Sequence, residues 1–459
     1  MKDIHVRLAD LGLIIPEILL PHPGINIEKW AVIACDQFTQ DTGYWEKVKN
    51  FTAGSPSTLN LILPEAYLDK GGNEARNNAI HLAMKSYLQD GVLSSPRRCG
   101  VYLERNTPFN QKRRVLILAI DLEQYDWRPQ ARPLIRATEG TVKERLPPRM
   151  QIRRNAPLET SHTLLLIDDE EDSLIPGLGK EAAKNPPLYS SPLMMNSGSV
   201  SGWALDTEES WALLADGLEK LAEKSLRRYG IGNERHFLFA VGDGNHSLAA
   251  AKGAWDEYKA AHPDESAHPC RYALVELVNL HDPGLSFRPI HMVFFGAEPS
   301  DLLEGLSALP GFSYQAVKSG EAGELLRIIE ESGGPKALGQ MSLGLIASGK
   351  EGLELGLINA KIQGIAAAKV QPLLDDLVSQ SGNSISMDFI HGEEELIRIV
   401  MDSAPQWGGK LTGLVLPPIY RDGLFKTINQ GGPLPRKSFS MGESIEKRFY
   451  LECRKLSPP

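Results

Sequence analysis

The sequence predicts an α/β or α+β protein in which mixed sheets are flanked by helices. Short apolar runs that end at glycine, proline or polar residues alternate with segments in which apolar residues recur at helical spacing. Hydrophobic residues make up 42% of the 459 positions and charged residues 23%, which is ordinary for a globular protein. A chain of this length is long enough for two or three domains.

The central stretch of the prediction is residues 237–252, FLFAVGDGNHSLAAAK. The apolar residues 237–241 predict a buried strand, and the glycines on either side of Asp243 predict a tight turn. A helical pattern follows, and Asn245 and Ser247 are good N-cap residues because their side-chain oxygens accept the first free N–H groups. The stretch therefore predicts a strand, a turn and a helix in immediate succession.

A helix that begins directly after such a turn predicts an anion site. Its first backbone N–H groups carry partial positive charge at one point, which suits a phosphate. The Gly and Lys spacings are those of neither a P-loop nor a dinucleotide-binding fingerprint, so an ordinary strand–turn–helix with one polar cap is the alternative. Asp243, Asn245 and His246 together are more polar groups than a simple chain reversal needs, and they favour a functional turn.

Apolar runs elsewhere predict the remaining elements and one domain boundary. The loop of residues 176–202 is rich in Gly, Pro and Ser. It predicts an N-terminal α/β region with a basic stretch over residues 1–200 and a second α/β region over residues 201–459. Further strands are predicted at residues 30–35, 59–63, 100–104, 115–121, 164–167, 272–280, 287–295, 343–347, 353–357 and 413–416, and helices at residues 74–88 and 210–228.

Candidate functional side chains also lie outside the central turn. Asp36 follows the strand predicted at residues 30–35, and ligands in open α/β sheets often lie beyond strand ends. A polar strand end that caps the next helix is the alternative. Residues 132–159 hold a run of Arg and Lys that includes Arg136, and Lys437 belongs to a second basic group. Arg can donate two parallel hydrogen bonds to a phosphate, so these basic runs are candidate phosphate-binding segments. The alternative is that they form solvent-exposed surface, as most runs of charged residues do.

Composition excludes several classes of function. The net charge of −9 argues against a general nucleic-acid binder. The N-terminus does not predict a signal peptide, since Pro16 and Glu17 interrupt its apolar run, and no stretch approaches the roughly 20 apolar residues of a membrane-spanning helix. The four cysteines are scattered without a CxxC pair, so neither structural zinc nor a disulfide framework is indicated. We expect a cytoplasmic protein with free thiols and no membrane partner.

Several stretches, in order, resemble the family known as domain of unknown function 1015. GDGNHS (residues 242–247) resembles the family's ADGHHRY turn, and LVNLHDPGLSFRPIH (residues 277–291) resembles its DPGL…PTHR segment. LPRKSFSMGESIEKRF (residues 434–449) resembles its closing MPPKST…P run. STLNLILPE (residues 57–65) and RATEGTVKERL (residues 136–146) also match, so the resemblance covers nearly the whole chain.

The family's DGHHR turn is similar to the signature turn of the ParB–sulfiredoxin superfamily, whose members bind nucleotides there and include kinases of free serine. The resemblance implies a ParB/sulfiredoxin-like α/β unit around residues 242–252, phosphate at the helix start and phosphoryl-transfer chemistry. This sequence has Asn245 and Ser247 where the family has His and Arg. The missing Arg would contact phosphate directly, so Lys252, an Arg of the basic stretch or Arg436 has to replace it.

The first functional expectation is a phosphoryl-transfer enzyme, a small-molecule kinase for which free serine is one candidate substrate. Mg²⁺ and ATP or ADP are the expected cofactors, and a small phosphorylated or hydroxylated metabolite is the expected partner. A phosphoserine-type phosphatase would use the same groups with water as the acceptor. A non-catalytic nucleotide- or metabolite-dependent switch, which needs no base, or a structural protein with a vestigial site would also fit the pattern. The oligomeric state is not predicted.

Each candidate residue has an expected role. Asp243 or Asp36 is expected to act as a base or metal ligand, and His246 to donate a hydrogen bond to a phosphate oxygen. The residues expected to bind phosphate offer either a group at the helix start or a positive charge: Gly242, Gly244, Asn245, Ser247, Lys252, Arg136 and Lys437.

Overall fold

The computed structural model describes residues 2–110, 112–229, 236–318, 321–333, 339–349 and 352–457. It divides the chain into two compact units: unit 1 comprises Met1–Ser286 and Gly442–Pro459, and unit 2 comprises Phe287–Met441. The division differs from the boundary predicted after residue 200. That position lies inside the strand Ser199–Leu205, which pairs along its length with Gly100–Asn106, so the residues on both sides of it belong to one sheet.

The strands, numbered in chain order, are mostly short. They are β1 (Leu13–Ile14), β2 (Glu17–Ile18), β3 (Val32–Ile33), β4 (Arg97–Arg98), β5 (Gly100–Asn106), β6 (Arg113–Asp121), β7 (Tyr125–Asp126), β8 (Ile135–Ala137), β9 (Leu158–Thr160), β10 (Thr163–Ile167), β11 (Tyr189–Pro192), β12 (Ser199–Leu205), β13 (Phe239–Asp243), β14 (Tyr272–Asn279), β15 (Phe287–Phe295), β16 (Ser313–Val317), β17 (Gln340–Gly349), β18 (Gly352–Lys361), β19 (Ser386–His391), β20 (Leu411–Val415), β21 (Phe439–Met441), β22 (Phe449–Tyr450) and β23 (Cys453–Lys455).

The α-helices are interspersed among these strands. They are α1 (Ile4–Asp10), α2 (Ile27–Trp30), α3 (Thr42–Thr52), α4 (Asn73–Gln89), α5 (Leu146–Arg153), α6 (Leu174–Ala182), α7 (Glu208–Tyr229), α8 (Asn245–Ala261), α9 (Pro299–Leu306), α10 (Ala322–Ser332), α11 (Ala367–Gln380), α12 (Glu393–Ser403) and α13 (Gly423–Gly431). Across the described residues, no helix is both long and apolar enough to cross a membrane.

Unit 1 is built on a ten-stranded mixed sheet. Its order is β11-β12-β5-β6-β14-β10-β13-β8-β7, with β1 paired to β6. The pairs β10–β14, β13–β8 and β7–β8 are parallel, and the other pairs are antiparallel. Strand β6 reads RRVLILAID and is buried along nearly its whole length, as expected for a central strand covered on both faces. Apolar side chains of α6, α7 and α8 pack with the strand residues in one buried cluster.

Unit 2 is built on a seven-stranded antiparallel sheet. Its order is β16-β18-β17-β20-β15-β19, with β21 paired to β15. Helices α10 and α12 pack against it through Leu325, Ile329, Leu396 and Val400. Together with unit 1, this sheet confirms the predicted fold class of mixed sheets with flanking helices.

One predicted strand is wrong. Residues 59–63 were expected to form a strand, but Thr58–Leu61 forms a 3₁₀ turn. The Ser57 side chain accepts the N–H of Leu59, and Thr58 Oγ1 donates to the carbonyl of Trp30 at 2.8 Å. Local bonds from Ser and Thr to the backbone compete with strand pairing, and here they prevail over the apolar pattern.

Glu452 generates a prediction about unit 1. The side chain is completely buried and accepts a hydrogen bond from the hydroxyl of Tyr189. Burial raises the pKa of its carboxyl from 4.5 to about 7. Because the folded pKa lies above the unfolded one, this group's contribution to stability is full below pH 4.5 and is lost as the pH rises through 7.

We expect Glu452→Gln, which mimics the protonated carboxyl, to remove that pH dependence. Urea denaturation at pH 5 and pH 8 measures it, and the stability difference between wild type and variant should change by about 2.5 kcal/mol between the two pH values. Other groups titrate equally in both proteins and cancel. The same pH slope in both would contradict the assignment.

Candidate functional site

The start of α8 is a helix N-terminus that no side chain caps. Gly244 is the N-cap residue, and the first intrahelical bond runs from the N–H of Leu248 to the carbonyl of Gly244 at 3.0 Å. The expectation that Asn245 or Ser247 caps the helix is wrong, because both residues already lie within its first turn. The N–H groups of a first turn have no hydrogen-bond partner within the helix. They point out of its N-terminal end, where another group can accept their hydrogen bonds.

The turn itself requires glycine. Gly244 adopts φ +80, and a Cβ there would lie 2.8 Å from the carbonyl oxygen of His162. In the antiparallel pair β10–β13, Leu164 faces Asp243 and Leu165 faces Val241, so Gly242 is the extra residue of a β-bulge. Bulges are common beside functional sites because they redirect the strand end. This one brings His162, which directly precedes β10, next to the turn.

A second strand pair brings the tail of the chain to the same place. In β3–β22, Ile33 faces Phe449 and Val32 faces Tyr450, and the N–H of Ala34 donates to the carbonyl of Arg448 at 2.9 Å. Asp36 therefore lies close to Arg448 through local pairing, although the two residues are far apart in sequence.

Arg448 joins the two strand pairs electrostatically. Its side chain is completely buried; Nη1 donates to Asp243 Oδ2 at 3.1 Å and Nη2 donates to Asp36 Oδ2 at 3.3 Å. Lys447 Nζ lies 3.4 Å from Asp243 Oδ2, and Asp243 Oδ1 accepts the N–H of Gly244 at 2.9 Å. The structure thus brings together Asp36 and Asp243, two of the predicted catalytic residues.

Asp36, Asp243, Lys447 and Arg448 form a charged group, the Arg448 cluster, and their charges determine which of its side chains are protonated. Burial by itself would raise the pKa of Asp243, but Lys447 and Arg448 outweigh it and hold the pKa of the carboxyl well below its usual range. For Arg448, burial opposes the charged form, yet Asp36 and Asp243 raise the pKa of the guanidinium. Asp243 is therefore a firmly ionised carboxylate and a weak base.

His162 completes the cluster. Its Nδ1 is hydrogen-bonded to the hydroxyl of Tyr450, which also accepts the N–H of Cys35 at 3.0 Å. Its Nε2 lies 3.9 Å from Asp36 Oδ2. Burial, followed by the nearby Arg448, lowers the pKa of His162 to about 4, so the ring is neutral near pH 7.

His246 and Asn245 tie the helix start to the loop after β8. His246 Nε2 accepts the N–H of Val142 at 3.2 Å. The Asn245 amide approaches Thr138 Oγ1 at 3.4 Å, while its Oδ1 is buried and has no hydrogen-bond partner among the described residues. Because β8 and β13 are parallel, their carboxyl ends meet at one edge of the sheet. The two stretches that resemble family motifs, residues 136–146 and 242–247, are therefore neighbours in space.

Three predicted phosphate ligands lie elsewhere. The guanidinium of Arg136 packs 4.6 Å from the ring centroid of Phe237 and donates to the carbonyl of Pro133, towards the amino end of β13. Lys252 is two helical turns into α8 and pairs with Asp256 at 2.5 Å. Lys437 belongs to unit 2, where its ammonium lies 5.4 Å from the ring centroid of Phe389.

Sequence reasoning missed four residues of the cluster: Lys447, Arg448, His162 and Tyr450. Two adjacent cations directly before the apolar run 449–451 were the available signal for the first two. Nothing local marked His162 or Tyr450, because their proximity depends on the pairings β10–β13 and β3–β22.

The described part of the structure contains no preformed metal-binding site. No group of three or more His, Cys, Asp and Glu side chains that could hold a metal ion occurs there. The four cysteines are free thiols, and burial raises the pKa of Cys35 beyond the range of a reactive thiolate.

Comparison with known proteins confirms the family resemblance for most of the chain, whereas the resembling stretch 434–449 lies outside the matched residues. The model of the family described as "Protein of unknown function (DUF1015)" matches residues 19–375. No curated protein matches the sequence.

Solved structures show distant likeness. A conserved hypothetical protein from Pyrococcus furiosus is 11% identical, with 74% of this chain and 95% of that chain covered and a TM-score of 0.36. A free serine kinase in complex with AMP is 10% identical, with coverages of 74% and 92% and a TM-score of 0.37. C-terminally truncated SbnI from Staphylococcus aureus is 10% identical, with coverages of 75% and 87% and a TM-score of 0.32. At these values the likeness is too weak to transfer an activity.

Replacing the buried Arg448 should reduce the free energy of unfolding far more than replacing the exposed Arg154. Arg448→Leu leaves Asp36 and Asp243 without their shared cation and should destabilise unit 1 by about 3–5 kcal/mol. Arg154→Leu removes an exposed pair with Glu257 and should cost about 1 kcal/mol or less. Urea denaturation measures both.

The double variant Arg448→Leu/Asp243→Asn should recover part of the loss, because one uncompensated charge is removed with its partner. Equal losses for the two arginine variants would show that the buried guanidinium does not hold the cluster.

Proposed function

The chain belongs to the family described as Protein of unknown function (DUF1015), and for this member we propose phosphoryl transfer between a nucleotide and a small hydroxylated metabolite. The supporting observation is the convergence of an uncapped helix start with the cations Lys447 and Arg448. A helix N-terminus offers free backbone N–H groups and partial positive charge to a phosphate, and a nearby cation adds to that charge. Free serine is the acceptor implied by the sequence resemblance.

Lys447 and Arg448 take the place of the Arg that the family has at position 247. Lys447 extends to the turn from the tail of the chain and is mostly buried, so its charge is poorly screened by solvent. A phosphate at the first turn of α8 would accept hydrogen bonds from backbone N–H groups and would lie near the Lys447 ammonium. Asp243 holds the cations and the Gly244 N–H in place from the other side.

The carboxylates are compatible with Mg²⁺ carried by a nucleotide. Mg²⁺ usually binds one or two carboxylates together with phosphate oxygens, and Asp36 and Asp243 are two carboxylates around one guanidinium. Mg²⁺ bound there would neutralise phosphate charge. The protein's own contribution is to position the phosphates and the acceptor, which is the main requirement of phosphoryl transfer.

In the proposed step, the hydroxyl oxygen of the acceptor forms a bond to the terminal phosphorus of a nucleoside triphosphate. The bond from that phosphorus to its bridging oxygen breaks, and the nucleoside diphosphate leaves. The hydroxyl proton passes to Asp36, whose Oδ2 lies 3.9 Å from the neutral His162 Nε2. Asp243 is too weak a base for this role and acts by positioning.

A matched pair of lysine variants tests the phosphate site. Lys447 and Lys252 are similarly buried and each contacts an aspartate, but only Lys447 lies at the turn. We expect Lys447→Ala to weaken ADP binding at least about 10-fold, because a charge-assisted hydrogen bond is lost, and Lys252→Ala to leave it unchanged. Isothermal titration calorimetry with ADP, with and without Mg²⁺, measures both.

No binding of ADP to the wild-type protein, or equal weakening by the two variants, would contradict the proposal. Where ADP binds, incubating the protein with ATP and serine and analysing the products by ³¹P NMR separates the alternatives. A new phosphomonoester signal indicates a kinase. Release of inorganic phosphate from phosphoserine indicates the phosphatase, and binding without turnover indicates a switch.

A further inference from the structure

The hydroxyl of Tyr450 determines which nitrogen of His162 carries a proton. Tyr450 is completely buried; its hydroxyl oxygen accepts the backbone N–H of Cys35 at 3.0 Å, and the same hydroxyl is hydrogen-bonded to His162 Nδ1. A phenolic hydroxyl has one proton to donate, and a backbone N–H cannot accept it. The Cys35 sulfur, 3.9 Å from Nδ1, is a much weaker acceptor than an imidazole nitrogen. The Tyr450 proton therefore points to Nδ1, which is the bare nitrogen of the ring.

The opposite side of the ring favours the same tautomer. His162 Nε2 lies 3.9 Å from Asp36 Oδ2, an oxygen that also accepts a hydrogen bond from Arg448. A carboxylate oxygen offers only lone pairs, so a bare Nε2 would face it with a lone pair of its own, whereas an N–H at Nε2 turns a hydrogen towards it. Both neighbours of the ring thus favour a neutral imidazole with its proton on Nε2.

The space between Nε2 and Oδ2 suits one ligand atom. The separation of 3.9 Å is too long for a direct hydrogen bond, but an oxygen about 2.8 Å from each atom would complete two hydrogen bonds. One side of this gap is a donor and the other an acceptor. A hydroxyl accepts and donates and so matches both sides, whereas an ammonium can only donate and a carboxylate can only accept. Each of the two side chains keeps 19% of its surface exposed, so neither is sealed from solvent.

We propose that Tyr450 is a positioning residue that fixes His162 as an Nε2–H donor, so that His162 and Asp36 together recognise a single hydroxyl group of the substrate. The hydroxyl oxygen accepts the Nε2–H of His162, and the hydroxyl proton points to Asp36 Oδ2. The assignment of this hydroxyl as the phosphoryl acceptor rests on the proposed function, whereas the tautomer does not. An amine acceptor is disfavoured, because a protonated amine would turn an N–H towards the Nε2–H.

Ring ¹⁵N chemical shifts of the ligand-free protein test the tautomer. A bare ring nitrogen and a protonated one resonate at well-separated shifts, so ¹⁵N-histidine labelling shows which nitrogen of His162 carries the proton. The variant His162→Gln identifies the His162 signals among those of the 11 histidines. We expect a bare Nδ1 and a protonated Nε2 near pH 7. A proton on Nδ1, or averaged signals from both tautomers, would overturn the proposal.

A pair of tyrosine variants tests the positioning role. Tyr450→Phe removes the hydroxyl and keeps the ring, so both tautomers of His162 become populated and its two ¹⁵N signals should move towards each other. Tyr102→Phe removes another hydroxyl of unit 1, bonded to Glu104 at 2.9 Å, and should leave the His162 signals unchanged. Unchanged His162 signals in Tyr450→Phe would remove the positioning role. Where Tyr450→Phe does not fold, the wild-type shifts still decide the tautomer.

Small probes test the recognition of a hydroxyl. L-Serine and glycerol carry a hydroxyl, and L-alanine matches serine without one. We expect at least one of the two hydroxyl probes to shift the His162 Nε2–H signal saturably, with no saturable shift from alanine, because only a hydroxyl fills the gap beside Asp36. The same shift from alanine, or no shift from any of the three, would overturn the hydroxyl assignment.

ADP titrations of the same protein separate this proposal from the proposed function. An Nε2–H tautomer that responds to a hydroxyl probe, in a protein that does not bind ADP, would leave the hydroxyl site standing and remove the phosphoryl-transfer function. ADP binding to a protein in which His162 carries its proton on Nδ1 would do the reverse.

Discussion

The candidate site depends on the buried guanidinium of Arg448. A cation without solvent is tolerated only when it is paired, and Arg448 is paired on both sides, by Asp36 and by Asp243. These carboxylates come from segments with separate strand pairings, β3–β22 and β10–β13. The ion triad therefore fixes the tail of the chain, the end of β3 and the start of α8 relative to one another within unit 1.

The same pairing determines what the site can do. Asp243 is held ionised by its cations, so it positions the Gly244 N–H and the Lys447 ammonium and does not accept protons. His162 is kept neutral by burial and by Arg448, and its Nε2 lies 3.9 Å from Asp36 Oδ2. The start of α8 is therefore flanked by fixed charges and by a neutral imidazole.

The sequence predicts the local elements well because each carries its own pattern. The apolar run before GDG, the helix after it and the strands β5 and β6 follow from periodicity and turn residues. Asp36 and Asp243 were also recognisable as polar residues at strand ends. Lys447, Arg448, His162 and Tyr450 were not, because strand pairing between distant segments creates their proximity and short strands carry no register information. Lys252 was predicted to bind phosphate at the turn, but the rise of two helical turns along α8 carries it away from there.

A crystal structure of the protein with ADP and Mg²⁺ would locate the phosphate-binding site. We expect a phosphate group within hydrogen-bonding distance of the first-turn N–H groups of α8 and of Lys447 Nζ, with Arg448 still between Asp36 and Asp243. A nucleotide bound in unit 2, or phosphates in unit 1 away from the start of α8, would contradict it.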